Sequence, residues 1–366
     1  MPGKTTQIKH NDLSQKLQQQ VAEALAQQSP LFIHGGKSKL FYGNPVQGKE
    51  LDVSAHSGVI AYEPSELYIT VRAGTRLCEL EELLTANRQM LPFEPPRYTP
   101  EATIGGAIAA GIAGPRRAYS GAVRDAILGV QIINGDAEIV NYGGQVMKNV
   151  AGYDLSRLMV RSQGTLGVIL NVSLRLLPKP ETDLTLAFEA ELDEALDYFK
   201  ALRLRQLPVS ATLWHKDMAY IRLSASDTVL QNARKQITAD ELADADTFWQ
   251  GIRDQQHEFF QQDHKPLWRF SLPPVSDKFT RIAQMNNELL VEWGGAQRWV
   301  RSNAPVNIIQ SIANSRKGYA TLFRGELPGV SHFPPLPAAL LSLHKRLKNE
   351  MDPKGIFNPD RIYQGL

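Results

Sequence analysis

Leu13, Leu17, Val21, Ala24 and Leu25 recur at helical spacing behind Asn11 and Asp12. This predicts an amphipathic helix that starts near either polar residue and runs to Gln28. LFIHGG from Leu31 reads as a short buried strand entering a glycine turn, and GVIAYEP (Gly58 to Pro64) and LYITVRAG (Leu67 to Gly74) read as further strands before a helix at Thr75. Ala126 to Gly144 is a hairpin signal broken at Asn134-Gly135, where a positive φ is expected. In LGVILNVSLRLLP, Val168, Leu170, Val172, Leu174 and Leu176 share one face and Asn171, Ser173 and Arg175 the other, which predicts an edge strand of a half-buried sheet. Lys179-Pro180 marks a boundary, because proline cannot continue the strand and the composition shifts at once. From Leu184 to about Phe323 strands alternate with helices, the pattern of an α+β sheet covered on one face. A last helix, AALLSLHKRLKNEM, precedes the tail DPKGIFNPDRIY, whose Ile356, Phe357, Ile362 and Tyr363 need a surface to pack on. The tail is therefore expected to return to the first domain.

A length of 366 residues suits about two domains. Lys+Arg 40 against Asp+Glu 38 leaves a formal charge of +2, and no Lys/Arg block supplies the basic footprint of a nucleic-acid binder. Cys78 is the single cysteine, which excludes an internal disulfide, a Cys-ligated iron–sulfur cluster and a zinc ribbon in this chain. Its place on a predicted helix points to packing rather than reactivity. The polar, glutamine-rich start lacks the apolar core of a signal peptide, so a mature cytoplasmic protein is expected. Ile104 to Gly114, the longest apolar stretch, is too short to cross a bilayer and carries four glycines. Membrane association would come through a partner.

Two stretches carry candidate chemistry. His34-Gly35-Gly36-Lys37-Ser38-Lys39 follows a predicted strand, where small residues and main-chain N–H groups can cradle a pyrophosphate. A Walker A reading of Gly36-Lys37-Ser38 fails because Leu31 stands where that motif needs its first glycine. Thr103 to Gly114 is rich in glycine and alanine, fitting either a closely packed small-residue helix or a close backbone approach to a flat ligand.

ATIGGAIAAGIAGPRRAYSGAVRDAILGVQIINGDAEIV, KNVAGYDLSRLMVRSQGTLGVILNVSLRLLP and the terminal DPKGIFNP occur in an order and spacing that resemble the vanillyl-alcohol-oxidase type (PCMH-type) FAD-binding family. GGKSK, EPP, PRR, VMKNVAGYDLSRLM and the short cap look most similar to the FAD-binding subunits of glycolate oxidases. The resemblance implies an α+β fold, with a two-subdomain FAD-binding domain over 1–179 (loop 35–39, second subdomain from about 53), an α+β cap over 180–335, and a helix and tail over 336–366 that rejoin the FAD domain. It implies that Gly35, Gly36, Lys37, Ser38 and Lys39 bind the pyrophosphate and that Thr103, Gly105 and Gly106 lie beside the isoalloxazine and phosphates. Gly111, Gly114, Tyr119 and Gly121 would continue the channel. Gly164, Gly167 and Val168 would run beside the adenine, and Lys148, Asn149, Tyr153 and Asp154 would shape the wall. In relatives with covalent FAD a histidine follows the glycines; Ser38 stands there and His34 precedes the loop, so the resemblance implies non-covalent FAD. Lys37 departs from the glycine common at its place.

The resemblance further implies an FAD-dependent oxidoreductase acting on the CH–OH group of a 2-hydroxy acid, as one subunit of a glycolate-oxidising complex with a larger flavin subunit and an iron–sulfur subunit. Catalytic relatives carry a His-x-Gly-Asp-Gly-Asn-x-His cap motif that this chain lacks. His257 and His264 reproduce its outer spacing, yet HEFFQQDH has no Gly-Asp-Gly and reads as an exposed helix without a metal. His215, Arg269, Arg301, Arg324, His332 and Arg361 remain as charged candidates, each read first as a surface or ion-pair residue, with Arg269 and Arg324 the exceptions because apolar strand residues surround them. Three roles stay open: a flavin subunit serving as redox relay or ancillary centre, a self-sufficient dehydrogenase anchoring a carboxylate on Arg269 or Arg324, and a scaffold with structural FAD. Gly329 to Leu341 is a candidate apolar patch for assembly.

Overall fold

The amphipathic pattern at the start of the chain folds as the helix Ser14–Ala26, whose Leu17, Val21 and Ala24 are buried. The computed structural model describes residues 8–144, 154–261, 264–274 and 288–366. The chain divides into two compact units, Met1–Ala113 with Ala122–Lys179 and Pro335–Leu366, and Gly114–Gly121 with Pro180–Pro334.

In the first unit, strands Leu31–His34 and Lys49–Asp52 pair in parallel. A five-stranded antiparallel sheet follows the order Val59–Glu63, Tyr68–Arg72, Val168–Arg175, Ile127–Ile133, Ile139–Gly143. Val168–Arg175 is thus the central strand and not an edge. Its polar Ser173 and Asn171 find partners on neighbouring strands, Ser173 Oγ with Thr70 Oγ1 at 2.8 Å and Asn171 Nδ2 with Gln131 Oε1 at 2.7 Å, so alternation here marks paired polar groups inside a sheet.

The hairpin forms where expected, but Gly135 is not its positive-φ residue. Asn134 Oδ1 accepts the amides of Asp136 (3.0 Å) and Glu138 (2.8 Å), and Ala137 takes φ +59°. Gly135 meets a different need: a Cβ there would lie 2.6 Å from Met351 O, where the last helix docks. That helix, Ala338–Met351, ends on a buried knot. Lys348 Nζ donates to Asp352 Oδ2 (2.7 Å), Thr165 O (2.7 Å) and Phe357 O (2.9 Å), while Asp352 accepts the amides of Ile356 and Phe357. Ile356 and Phe357 then join the cluster formed by Leu17, Val21, Leu31 and Leu51.

The second unit is an eight-stranded sheet whose strands between Thr182–Glu189 and Tyr319–Arg324 pair antiparallel. Helices Leu192–Leu204, Asp227–Arg234 and Val306–Ser315 bury Phe199, Leu230 and Ile309 with Ile221, Trp268 and Val300 on one face. The other face is covered as well, contrary to the one-sided expectation: Trp249 Nε1 donates to Thr185 Oγ1 at 2.9 Å, and the rings of Tyr220 and Phe248, and of Trp299 and Phe260, lie 4.6 and 5.5 Å apart. Accordingly HEFFQQDH is not an exposed helix. Only Glu258–Gln261 is helical among its described residues, and it buries Phe259 and Phe260 because two adjacent phenylalanines face the sheet. No helix among the described residues is long and apolar enough to cross a membrane.

Candidate functional site

The parallel strand Leu31–His34 delivers the chain into the turn Gly35–Lys39 beside the helix Ile104–Ala110. Thr103 caps that helix by accepting the amide of Gly106 at 3.2 Å, and the amides of Ile104 and Gly105 donate to Thr75 O (2.9 Å) and Ala73 O (2.8 Å). Such contact needs small residues. A Cβ on Gly105 would fall 2.6 Å from that of Ala73, one on Gly35 2.5 Å from Thr103 Oγ1, and one on Gly36 inside the carbonyl of Glu101. Gly106 is different, since a Cβ there would meet nothing but Thr103 Oγ1 at 3.2 Å and would project into open space.

That space is a cleft of about 800 Å³, open solvent included. Its walls bring together Gly35, Gly36, Lys37, Ser38, Lys39, Thr103, Gly105, Gly106, Gly164 and Gly167. Among the described residues the amides of Gly35, Gly36, Lys37 and Ser38 donate to no backbone carbonyl. Lys37 takes φ +53°, the left-handed conformation that glycine adopts freely, which explains how a lysine stands at a glycine's usual place. Its Nζ pairs outward with Glu50 at 3.0 Å, and Lys39 Nζ donates to Pro96 O at 2.9 Å. His34 is buried, with Nε2 3.3 Å from Glu50 Oε2 and Nδ1 3.1 Å from Gly35 O.

Five residues of the expected channel do not line this cleft. Gly111 ends the helix at φ +61° against Arg161. Gly114, Tyr119 and Gly121 fall in the second unit, where Gly114 O accepts Trp293 Nε1 at 3.1 Å and Tyr119 OH lies 3.1 Å from Thr212 Oγ1. Burial there pushes the Tyr119 phenol up from its ordinary value. Val168 is fully buried and paired with Ile133. Asp154 accepts Ser156 Oγ at 2.6 Å and pairs with Arg157 at 2.8 Å. Lys148, Asn149 and Tyr153 lie outside the described residues.

Several charged candidates are not surface groups. Arg301 is buried and donates to the carbonyls of Phe259 (2.9 Å), Phe260 (2.6 Å) and Lys265 (3.0 Å). His215 is buried with Nδ1 on Leu289 O at 3.0 Å, and burial holds its pKa below the ordinary histidine value. Arg269 is buried with its guanidinium 5.3 Å from the Phe323 ring, Arg324 sits opposite Leu267 on the last strand, and His332 Nδ1 meets Leu322 O at 2.8 Å. Sequence reasoning missed Gln163 and Asn358 as cleft residues and read Arg361 first as a surface or ion-pair residue, whereas all three line the cleft. Asn358 accepts the amide of Ile33 at 2.7 Å and donates to Gln163 O at 2.7 Å. For Asn358 and Arg361 the signal was their place in a tail whose apolar residues already demanded cover.

The residues present fit a dinucleotide such as FAD: a run of uncommitted amides suits its diphosphate, and a wall kept bare at Gly106 admits its ring. A family model described as an FAD binding domain matches residues 13–143. The chain is 45% identical to glycolate oxidase subunit GlcE of Escherichia coli (strain K12), over 98% of this chain and 100% of that one. It is 31% identical to glycolate oxidase subunit GlcD of Bacillus subtilis (strain 168), over 43% of this chain and 34% of the other, and 29% identical to a D-lactate dehydrogenase of Archaeoglobus fulgidus, over 51% and 42%. Among solved structures, alkyldihydroxyacetonephosphate synthase superposes with a TM-score of 0.70 over 94% of this chain and 74% of that one, at 14% identity, a likeness of fold.

Proposed function

The chain belongs to the family of the glycolate oxidase subunit GlcE, and on that premise we propose that it is an FAD-dependent oxidoreductase subunit of a complex that oxidises glycolate to glyoxylate. Its flavin acts as redox relay or ancillary centre, and the substrate chemistry lies on a larger flavin subunit, with an iron–sulfur subunit passing electrons onward. The observation that carries this reading is a cleft of uncommitted amides and glycines in a chain similar from end to end to such a subunit. Bound FAD supplies a two-electron acceptor. The chain's own part is to hold it: Gly35 to Ser38 offer amides to the diphosphate, Gly105 and Gly106 leave room for the ring, and the strands behind them fix both walls. With His34 turned to Glu50 and Ser38 where a histidine would attach flavin, the cofactor is held non-covalently.

Leu340 and Leu343 support a role in assembly. They stand 46% and 51% exposed on the last helix, on the side that carries Leu347 into the first unit's core further along. The test is anaerobic addition of glycolate to the purified chain. Flavin that stays oxidised alone and bleaches once the larger flavin subunit is added is the expected result. Bleaching of the isolated chain would instead make it a self-sufficient dehydrogenase.

A further inference from the structure

Arg361 comes from the tail yet stands in the wall of the cleft, 7% exposed. Its Nε donates to Gln163 Oε1 at 3.0 Å, Nη1 to Gly43 O (3.2 Å) and Asn44 O (2.7 Å), and Nη2 to Lys39 O (3.3 Å), Leu40 O (3.1 Å) and Tyr42 O (3.0 Å). The chain from Lys39 to Asn44 is therefore wrapped round one guanidinium. Gly43 makes the wrap possible, at φ +123°, with a Cβ position 2.5 Å from Gln163 Oε1 and 3.0 Å from Arg361 Nε.

No carboxylate among the described residues lies within ion-pair distance of Arg361, so carbonyl dipoles alone compensate its buried charge. Burial brings its pKa down to about 10, which leaves it protonated at neutral pH. A cation met only by dipoles keeps its full charge as a field inside a wall of low polarity. The same cleft is lined by Gly35 to Ser38, whereas the Lys37 charge is paired off against Glu50.

We propose that Arg361 is a positioning residue for the diphosphate of the cofactor, holding Lys39 to Asn44 in shape and supplying a fixed positive charge that Lys37, paired with Glu50, does not. It acts without touching the ligand, because its N–H groups are committed to the protein. The inference concerns cofactor selection and is independent of which substrate delivers electrons.

The test uses the full chain stripped of flavin, titrated calorimetrically with FAD, ADP and riboflavin. Arg361→Gln is expected to weaken FAD and ADP by about tenfold or more while riboflavin changes by less than about twofold. Arg361→Lys, which keeps charge and loses the fork, is expected to recover most of the ADP affinity. Wild-type ADP binding should also fall more steeply with salt than that of Arg361→Gln. Unchanged ADP binding in Arg361→Gln, or equal losses for ADP and riboflavin, would overturn the proposal. Should Arg361→Gln fail to show a cooperative thermal transition, Arg361→Lys decides: an ADP loss below about threefold upholds the charge role, and a loss as large for riboflavin as for ADP overturns it.

Discussion

The cleft of the first unit and the sheet of the second use charged side chains differently. In the first, the cleft is walled by glycines and main-chain amides, Lys37 Nζ pairs with Glu50 and Lys39 Nζ donates to Pro96 O. In the second, residues that look like chemistry, among them Arg269, Arg301 and His215, lie inside the unit, with Arg301 and His215 bound to carbonyls. Charge alone is thus a poor guide to function in this chain. A buried arginine that saturates carbonyls holds loops together, while a glycine whose Cβ has no room marks where backbone must come close.

The largest effect that sharpens this contrast is Gly36→Val. Its Cβ would overlap the Glu101 carbonyl, which as backbone cannot swing aside. FAD affinity should fall by about tenfold or more, read as the flavin-to-protein ratio after purification. Full retention of flavin would dissolve the contrast. Arg301→Met should do the reverse, lowering stability by about 3 kcal/mol through three unsatisfied carbonyls while the flavin ratio holds. Thermal denaturation with absorbance at both protein and flavin wavelengths separates the two outcomes, and parallel loss of flavin would assign Arg301 to the cofactor site.

A smaller effect is expected from pH. Burial holds His56 and His215 below the ordinary histidine value, and the unprotonated His56 Nδ1 accepts the amide of Leu13 at 3.0 Å. Asp12, Arg72 and Asn171 are the groups around His56. The unfolded chain therefore binds these protons first, so stability should fall as pH drops through about 6.5. Below about pH 4 a second loss should follow as the unfolded chain protonates Asp12 before the folded one, whose carboxylate is held low by the Ser14 amide and then by Arg72; solvent screening of this half-exposed group keeps the loss to roughly 1 kcal/mol. A melting temperature flat from pH 8 to 5 would contradict the first part. The smallest effect is Lys37→Gly, which removes a left-handed lysine and an exposed ion pair. Stability should change by no more than about 1 kcal/mol and FAD affinity by less than about threefold.

Much of the fold could be read along the chain because its signals are local. Helix spacing at Leu17, Val21 and Ala24, the hairpin at Asn134, and the crowded glycines at 35, 36 and 105 each reflect contacts within a few residues or a single close approach. What escaped depends on distant partners. Val168–Arg175 alternates like an edge strand, yet Thr70 and Gln131 pair its polar side from either flank. The glycine of the hairpin turn answers to Met351, more than two hundred residues on. Arg361 reads as one charge in a polar tail, because the carbonyls that bury it belong to Lys39 through Asn44 and no side-chain pattern announces a carbonyl. The phenylalanines at 259 and 260 were legible as apolar but lacked the spacing that says which face they cover.

The most direct test is the visible spectrum of the chain purified alone, followed by acid precipitation. The expected result is an oxidised flavin band that leaves the pellet as free FAD. A colourless protein would contradict the cleft as a cofactor site, and flavin retained in the pellet would contradict a cofactor held non-covalently.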